Sequence, residues 1–236
     1  MNSICMTSFN GQNYIAAQLK SILSQMFEND ELLISDDGST DDTLNIIESF
    51  ANKDSRIKLF KGPQKGLQQN FNFILSKASG DYIFLSDQDD VWLPQKMEVT
   101  LLALKGCNLV VSDCVVVDSQ LKTVSNSFYQ RNGLRKQFIS NLYKNSFLGC
   151  CMAFDRKVLE AALPLPNNVP MHDWWIGLLS LVNFKVKFIN EKLIYYRRHS
   201  ANASPTSQKS TNSFWLRLKI RVVIFNLLLV RLFRKP

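Results

Sequence analysis

The sequence carries only two histidines, His172 and His199, and its five cysteines (5, 107, 114, 150 and 151) include no Cys-x-x-Cys pair. A structural zinc site needs a closed set of such ligands, so none is expected. An odd cysteine count, with two of the five adjacent, makes a poor disulfide framework and favours reduced thiols in a cytoplasmic protein. The chain opens Met1-Asn2-Ser3-Ile4-Cys5, without the basic and apolar regions of a secretory signal, so none is expected. Long apolar runs are also missing. The stretch between Arg221 and Arg231 holds nine residues, one of them Asn226, against the roughly 20 that a spanning helix needs. Nothing repeats internally. With 46 % apolar and 20 % charged residues, a disordered or collagen-like chain is excluded. Sixteen Phe and four Trp supply the core of one large α/β domain or two small ones.

Acid is absent from the end of the chain. Residues 192–236 hold ten Lys and Arg and no Asp or Glu, whereas residues 1–191 hold 18 Lys and Arg against all 20 acids. A nucleic-acid binder spreads its basic residues over a face interleaved with stacking aromatics. Here the excess sits in one terminal segment, so no nucleic-acid partner is expected. The segment Phe214–Arg234 reads FWLRLKIRVVIFNLLLVRLFR, and its basic flanks and aromatic residues suit the headgroup zone of a membrane. Residues 214–236 are therefore expected to form a basic apolar helix lying on a membrane surface. The competing reading is a helix packed on the domain or on a second subunit. Residues 200–213 (SANASPTSQKSTNS) have no apolar period and read as a linker.

Upstream, short apolar runs alternate with helical patterns. Strands are expected at Ile4–Thr7, Glu31–Ser35, Arg56–Phe60 and Asp81–Ser86, with helices at Tyr14–Met26, Thr43–Phe50 and Leu67–Lys77. Ser39 or Thr40 is the expected cap of the second helix. Such alternation builds a mainly parallel sheet covered by helices on both faces. The later part is less regular, with strands at Leu109–Val117, Ser146–Phe154, Lys185–Ile189 and Leu193–Tyr196. Helices are expected at Arg156–Ala162 and from His172 to about Val182, the latter delivered by Pro164, Pro166 and Pro170.

Two acidic clusters end two of the strands, Asp36/Asp37 and Asp87/Asp89/Asp90. In a parallel sheet these ends lie on one edge, where ligands bind. Gathering carboxylates is unfavourable unless a cation or hydrogen-bond donors compensate. An Asp-x-Asp at a strand end suits a hard divalent cation that bridges substrate phosphates. The bland alternative is that strand-to-helix loops favour Asp as a turn and capping residue.

The ordered motifs resemble a family 2 glycosyltransferase of the GT-A fold. They are Thr7-Ser8-Phe9-Asn10-Gly11, Ser35-Asp36-Asp37-Gly38-Ser39-Thr40-Asp41, Gly66-Leu67 with Asn70-Phe71-Asn72, and Ser79-Gly80-Asp81-Tyr82-Ile83. They continue with Leu85-Ser86-Asp87-Gln88-Asp89-Asp90-Val91-Trp92, Gly149-Cys150-Cys151-Met152, His172-Asp173-Trp174-Trp175 and Tyr196-Arg197-Arg198-His199-Ser200-Ala201-Asn202. The resemblance covers about residues 2–202. The Asp87–Trp92 and His172–Trp175 forms are closest to a bacterial rhamnosyltransferase-like subgroup, which suggests dTDP-rhamnose as donor.

That resemblance implies a Rossmann-like, mainly parallel sheet over 1–199, with a nucleotide-sugar half at about 1–115 and an acceptor half at about 116–199. It implies inverting transfer from a nucleoside diphosphate sugar to a hydroxyl of a glycan or lipid-linked acceptor. The setting would be bacterial surface polysaccharide synthesis, at the inner face of the cell membrane. Thr7, Asp36, Asp37 and Asp87 would bind the donor, Asp89 and His199 would bind Mg²⁺ or Mn²⁺, and Asp173 would be the general base. Many relatives carry Glu-Asp where this chain has His172-Asp173. A nucleotidyltransferase would bring a Gly-rich, basic loop after the first strand, and Thr7–Tyr14 has no basic residue. A non-catalytic module for a sugar nucleotide or glycan is the other alternative. Trp174 and Trp175 point apart on a helix, so at least one belongs to the core. Cys150-Cys151 reads as small packing rather than a nucleophile.

Overall fold

In this computed structural model, residues 1–200, 202 and 213–233 are described. Four apolar runs form the first strands, β1 (Asn2–Ser8), β2 (Glu31–Asp36), β3 (Ile57–Lys61) and β4 (Tyr82–Asp87), with α1 (Ile15–Leu23), α2 (Thr43–Ala51) and α3 (Leu67–Leu75) between them. The expected alternation therefore stands, with most ends shifted by a residue or two. These strands pair in parallel in the order β3-β2-β1-β4. The strands β1 and β2 are buried along their whole length, because helices cover both faces.

The cap of α2 differs from expectation. The helix starts at Thr43, after Asp42, and Asp41 Oδ1 accepts from the Thr43 amide at 3.1 Å. Ser39 instead donates its hydroxyl to Asp36.

The chain then adds β5 (Val91–Trp92), α4 (Lys96–Leu104), β6 (Leu109–Val117), β7 (Thr123–Ser125), α5 (Phe128–Asn132) and α6 (Phe138–Tyr143). A 3₁₀ turn at Gly149–Cys151 leads into β8 (Met152–Asp155), α7 (Arg156–Ala162) and α8 (His172–Asn183). Strand β9 (Val186–Arg197) and helix α9 (Phe214–Phe233) follow. The sheet continues β4-β8-β6-β9-β5, with β7 beside β6. Strand β8 is antiparallel to both neighbours, while β9 runs parallel to β6.

Two expectations are corrected here. The strand expected over Ser146–Phe154 begins only at Met152, since Gly149–Cys151 forms the turn. The two strands expected at 185–189 and 193–196 are one strand. Asn190, Glu191 and Lys192 remain in it, because register shifts opposite Val111, Asp113 and Val115 of β6 absorb the polar break.

Helix α9 lies against the domain. Ile224 and Leu228 are buried. Arg221 donates to the Tyr143 carbonyl, and Arg231 reaches the carbonyls of Leu163 and Pro164 at 2.6 Å. No helix among the described residues is long and apolar enough to cross a membrane. The expected linker lies outside the described residues except for Ser200, Asn202 and Ser213, as do residues 234–236 of the expected helix.

Candidate active site

Level strand ends bring the two acidic clusters to one edge. Ser8 pairs with Asp36 across β1 and β2, and Thr7 with Asp87 across β1 and β4. Beyond these ends opens a cleft of about 450 Å³. Thr7, Asp37, Gln64 and Asn70 line it together with Asp87, Asp89, Gly149, His172 and Asp173.

The first cluster divides its work. Asp36 is buried and does not line the cleft. Its Oδ1 accepts from the amides of Gly38 (3.0 Å) and Ser39 (2.7 Å), and its Oδ2 from the hydroxyls of Ser8 (2.8 Å) and Ser39 (2.7 Å). The donor-binding role expected of Asp36 thus gives way to holding the turn, because its acceptor capacity is taken up by the loop and by Ser8 at the end of β1. Asp37 does face the cleft. It accepts from the amides of Gln64 (2.7 Å) and Gly66 (2.8 Å), tying the loop after β2 to the loop after β3.

The second cluster crowds buried carboxyls together. Gln18 of α1 holds the end of β4 by donating to Ser86 Oγ (2.8 Å) and the Asp87 carbonyl (2.9 Å). Burial, with Asp89 and Asp173 nearby, pushes the Asp87 carboxyl up to about 8. Asp90 is fully buried; its Oδ1 accepts from the Arg197 amide at 2.9 Å, and its Oδ2 has no partner among the described residues. Burial and the charges of Asp89 and Asp87 also raise the Asp90 carboxyl.

Asp89 is brought together with His199, whose Nε2 lies 2.8 Å from Asp89 Oδ2, and Asn202 Nδ2 donates to the same oxygen at 2.9 Å. The rings of Tyr14 and His199 stack with centroids 4.7 Å apart, and the Arg197 guanidinium sits 4.8 Å from the Tyr14 centroid.

This donor set fits a hard divalent cation. Ligand atoms of Asp87, Asp90 and Cys150 lie within 4.8 Å of one another, and one carboxylate oxygen there is orphaned. Carboxylates suit Mg²⁺ or Mn²⁺, whereas the soft Cys150 thiol adds little. Asp90 and Asn202 were not among the expected site residues. The signal for Asp90 was present, as a third acid in the Asp87–Asp90 run.

Asp173 is the second residue of α8. Its Oδ1 accepts from the Trp174 amide (2.6 Å) and its Oδ2 from the Gly149 amide (3.1 Å), with the Asn145 side chain also donating. These donors favour the anion, but burial outweighs them and raises the carboxyl to about 7. The position before the helix is Met171, which offers no side-chain cap, so Asp173 is not the N-cap.

His172, beside it, stacks on Phe71 of α3 with ring centroids 3.6 Å apart. It is 2 % exposed, and neither ring nitrogen has a partner among the described residues. Burial lowers its pKa to about 3, so the ring is neutral. Leaving a buried polar group unpaired costs about 1–3 kcal/mol. A Cβ at position 149 would fall 2.9 Å from His172 Nε2, so glycine there permits the close approach.

Trp174 and Trp175 are both core residues, their indole N–H groups donating to the carbonyls of Asn141 (2.9 Å) and Ala162 (3.0 Å). Cys150 and Cys151 are buried thiols, and the Cys150 carbonyl accepts from the buried Lys96 ammonium at 3.0 Å.

Residues 3–163 match the family described as Glycosyl transferase family 2. The chain belongs to that family. Among curated relatives, this glycosyltransferase is 29 % identical over 213 residues to the Escherichia coli UDP-Glc:alpha-D-GlcNAc-diphosphoundecaprenol beta-1,3-glucosyltransferase WfgD, covering 88 % of this chain and 80 % of WfgD. It is 28 % identical over 220 residues to the Shigella flexneri dTDP-rhamnosyl transferase RfbG, covering 84 % of this chain and 72 % of RfbG.

Among solved structures, S. aureus TarS in complex with UDP-GlcNAc superposes with a TM-score of 0.74 at 17 % identity, over 94 % of this chain and 66 % of that one. The Pyrobaculum calidifontis mannosyltransferase in complex with GDP-Man and Mn²⁺ gives 0.62 at 16 % identity, over 100 % of this chain and 64 % of that one. These likenesses show the GT-A fold. This chain thus spans about two thirds of either solved chain.

Proposed function

We propose that this glycosyltransferase moves a sugar, with inversion, from a nucleoside diphosphate donor to a hydroxyl of a glycan or lipid-linked acceptor in bacterial surface polysaccharide synthesis. The observation that carries this reading is a buried carboxyl, Asp173, with a pKa near neutrality, in one cleft with Asp37, Asp87 and Asp89. A base with a pKa near the working pH combines availability with proton affinity. The Asp173 carboxylate takes the acceptor proton as that oxygen attacks the anomeric carbon, opposite the leaving diphosphate.

Thr7 and Asp37 line the nucleotide side, and Asp87 stands between nucleotide and reacting sugar. Asp87 and Asp90, with Asp89 and His199 adjoining, would hold Mg²⁺ or Mn²⁺, which when bound supplies Lewis-acid neutralisation of the departing diphosphate. In this reading residues 1–115 serve the donor and 116–199 the acceptor. The motif resemblance, with the likeness to RfbG, makes dTDP-rhamnose the first donor to test, and the likeness to WfgD makes UDP-glucose the second.

Helix α9 supports placement at the cytoplasmic face of the membrane. While Ile224 and Leu228 dock on the domain, Trp215, Leu218, Val222, Phe225 and Leu229 are exposed at three- and four-residue spacing along one stripe. Lys219 lies at its edge and no acid lies on the helix, so an anionic lipid surface complements it.

A thermal-shift and hydrolysis screen of UDP, dTDP and GDP with their sugars, with Mn²⁺ present, tests the core reading. Stabilisation by one nucleotide, with slow release of its sugar, is the expected outcome. Stabilisation without any turnover, even with acceptors, would identify a binding module instead, and no nucleotide binding would overturn the reading entirely.

A further inference from the structure

We infer that His172 reads a hydroxyl of the donor sugar through one of its imidazole nitrogens. The inference rests on the cleft being a sugar-nucleotide site. The first ground is the unpaired imidazole itself. His172 lines the cleft, is 2 % exposed, and has both nitrogens without partners among the described residues. A buried group in that condition gains most from a ligand that completes it.

The second ground is placement. The ring is clamped between Phe71, 3.6 Å away, and the Gly149 backbone, where even a methyl group would fall 2.9 Å from Nε2. Leu67 and Asn70, on the same helix as Phe71, line the same cleft. In that reading the anomeric carbon lies between Asp173 and the carboxylates that face the diphosphate, and His172, the neighbour of Asp173 on α8, lines the same cleft beside it.

The third ground is chemical. A neutral imidazole offers one N–H and one lone pair on nitrogens that point apart, so either one can meet a sugar hydroxyl, which both donates and accepts. Burial holds the ring uncharged, so it does not attract phosphate, and its task is separated from that of the cation site. A site built around a substrate hydroxyl rejects the analogue that lacks it, because its own polar group is then left unpaired.

Calorimetry in Mn²⁺ provides the test, with UDP against UDP-glucose and dTDP against dTDP-rhamnose as probes. For the pair that the wild type binds, the ratio of nucleotide to nucleotide-sugar Kd measures what the sugar contributes. His172→Phe keeps the stack on Phe71 and deletes both nitrogens. It is expected to leave the nucleotide Kd within about twofold and to weaken nucleotide-sugar binding by roughly 10–100-fold. His172→Gln, which retains a donor and an acceptor, should recover part of that loss. A parallel fall for nucleotide and nucleotide sugar would make His172 merely structural. Unchanged donor binding with a raised acceptor KM would transfer the contact to the acceptor and overturn the inference, as would no change in either. Absence of nucleotide binding by the wild type would instead remove the reading beneath it.

Discussion

Replacing Asp173 by Asn separates proton transfer from structure, and the expected sizes follow from its surroundings. Burial raises this carboxyl to about 7, from an ordinary value near 4 in the unfolded chain. A raised acid favours the native state most when protonated, so the native state binds more protons than the unfolded one between these values. The contribution of this group is therefore largest below about pH 4, declines as pH climbs to 7, and is flat above. Each pH unit in that window is worth about 1.4 kcal/mol. Between pH 5 and pH 8 the wild type should lose roughly 2–3 kcal/mol that Asp173→Asn does not lose.

The absolute offset between the two proteins is less informative. Asp173 accepts backbone N–H groups at both oxygens, and the Asn amide must turn an NH₂ towards one of them. The pH-dependent difference cancels that penalty. Urea unfolding at several pH values measures it directly. In activity, kcat should fall at least about 10²-fold, with donor binding retained. The wild-type kcat/KM should rise with pH through about 7, the limb belonging to the free enzyme. A variant that keeps its kcat, or a wild-type profile flat from pH 5 to 8, refutes the base assignment.

Other perturbations test the rest of the site and the helix. Asp89→Asn should abolish transfer and weaken Mn²⁺-dependent nucleotide binding, because it removes an anionic partner of His199 beside the cation site; activity that survives both this change and EDTA contradicts the metal reading. Asp36→Ala removes an acceptor of four hydrogen bonds in the buried turn and should cost about 2–4 kcal/mol of stability; an unaltered melting curve would reject its structural role. Val222→Glu with Phe225→Glu, both on the exposed stripe of α9, should abolish flotation with anionic vesicles while changing stability by less than about 0.5 kcal/mol per site; undiminished vesicle binding removes the membrane role, and a change from dimer to monomer would assign the stripe to a second copy.

The first half of the fold was legible because its pattern is clean. In β2 the run Leu32-Leu33-Ile34 is buried on both faces and the strand stops at an Asp-Gly turn, so period and punctuation agree. Helices α4 and α6 were not legible, for a physical reason. Their inward residues include Lys96 and Thr100 in one and Asn141 in the other, so buried polar groups erase the apolar stripe. Tertiary partners rescue them: Lys96 donates to the Cys150 carbonyl, and Asn141 donates to the Arg135 carbonyl. The same distinction runs through the site. Topology alone brought Asp37, Asp87 and Asp89 to one edge, whereas the inward turn of Asp36 depends on the hydroxyls of Ser8 and Ser39. Nothing in the spacing of residues 71, 149 and 172 announces that they enclose one imidazole.

Burial is the main cause that raises both titrating acids of the cleft, and what else acts on each of them orders their roles. Asp87 owes part of its elevation to Asp89 and Asp173 beyond its burial, so positive charge at the cleft floor relieves it and restores the anion. Asp173 is raised by burial alone, and every other influence on it is a hydrogen-bond donor that lowers it. A cation among Asp87, Asp90 and Cys150 touches Asp87 and not Asp173, so it moves Asp87 more than Asp173. One carboxyl becomes a permanent anion at the diphosphate while the other stays poised near neutrality. Environments that push two carboxyls apart in this way mark a division between electrostatic and proton-transfer work. The division also fixes how the pH profile must respond: Mn²⁺ should erase a contribution from Asp87 near pH 8 and leave the limb near pH 7 in place.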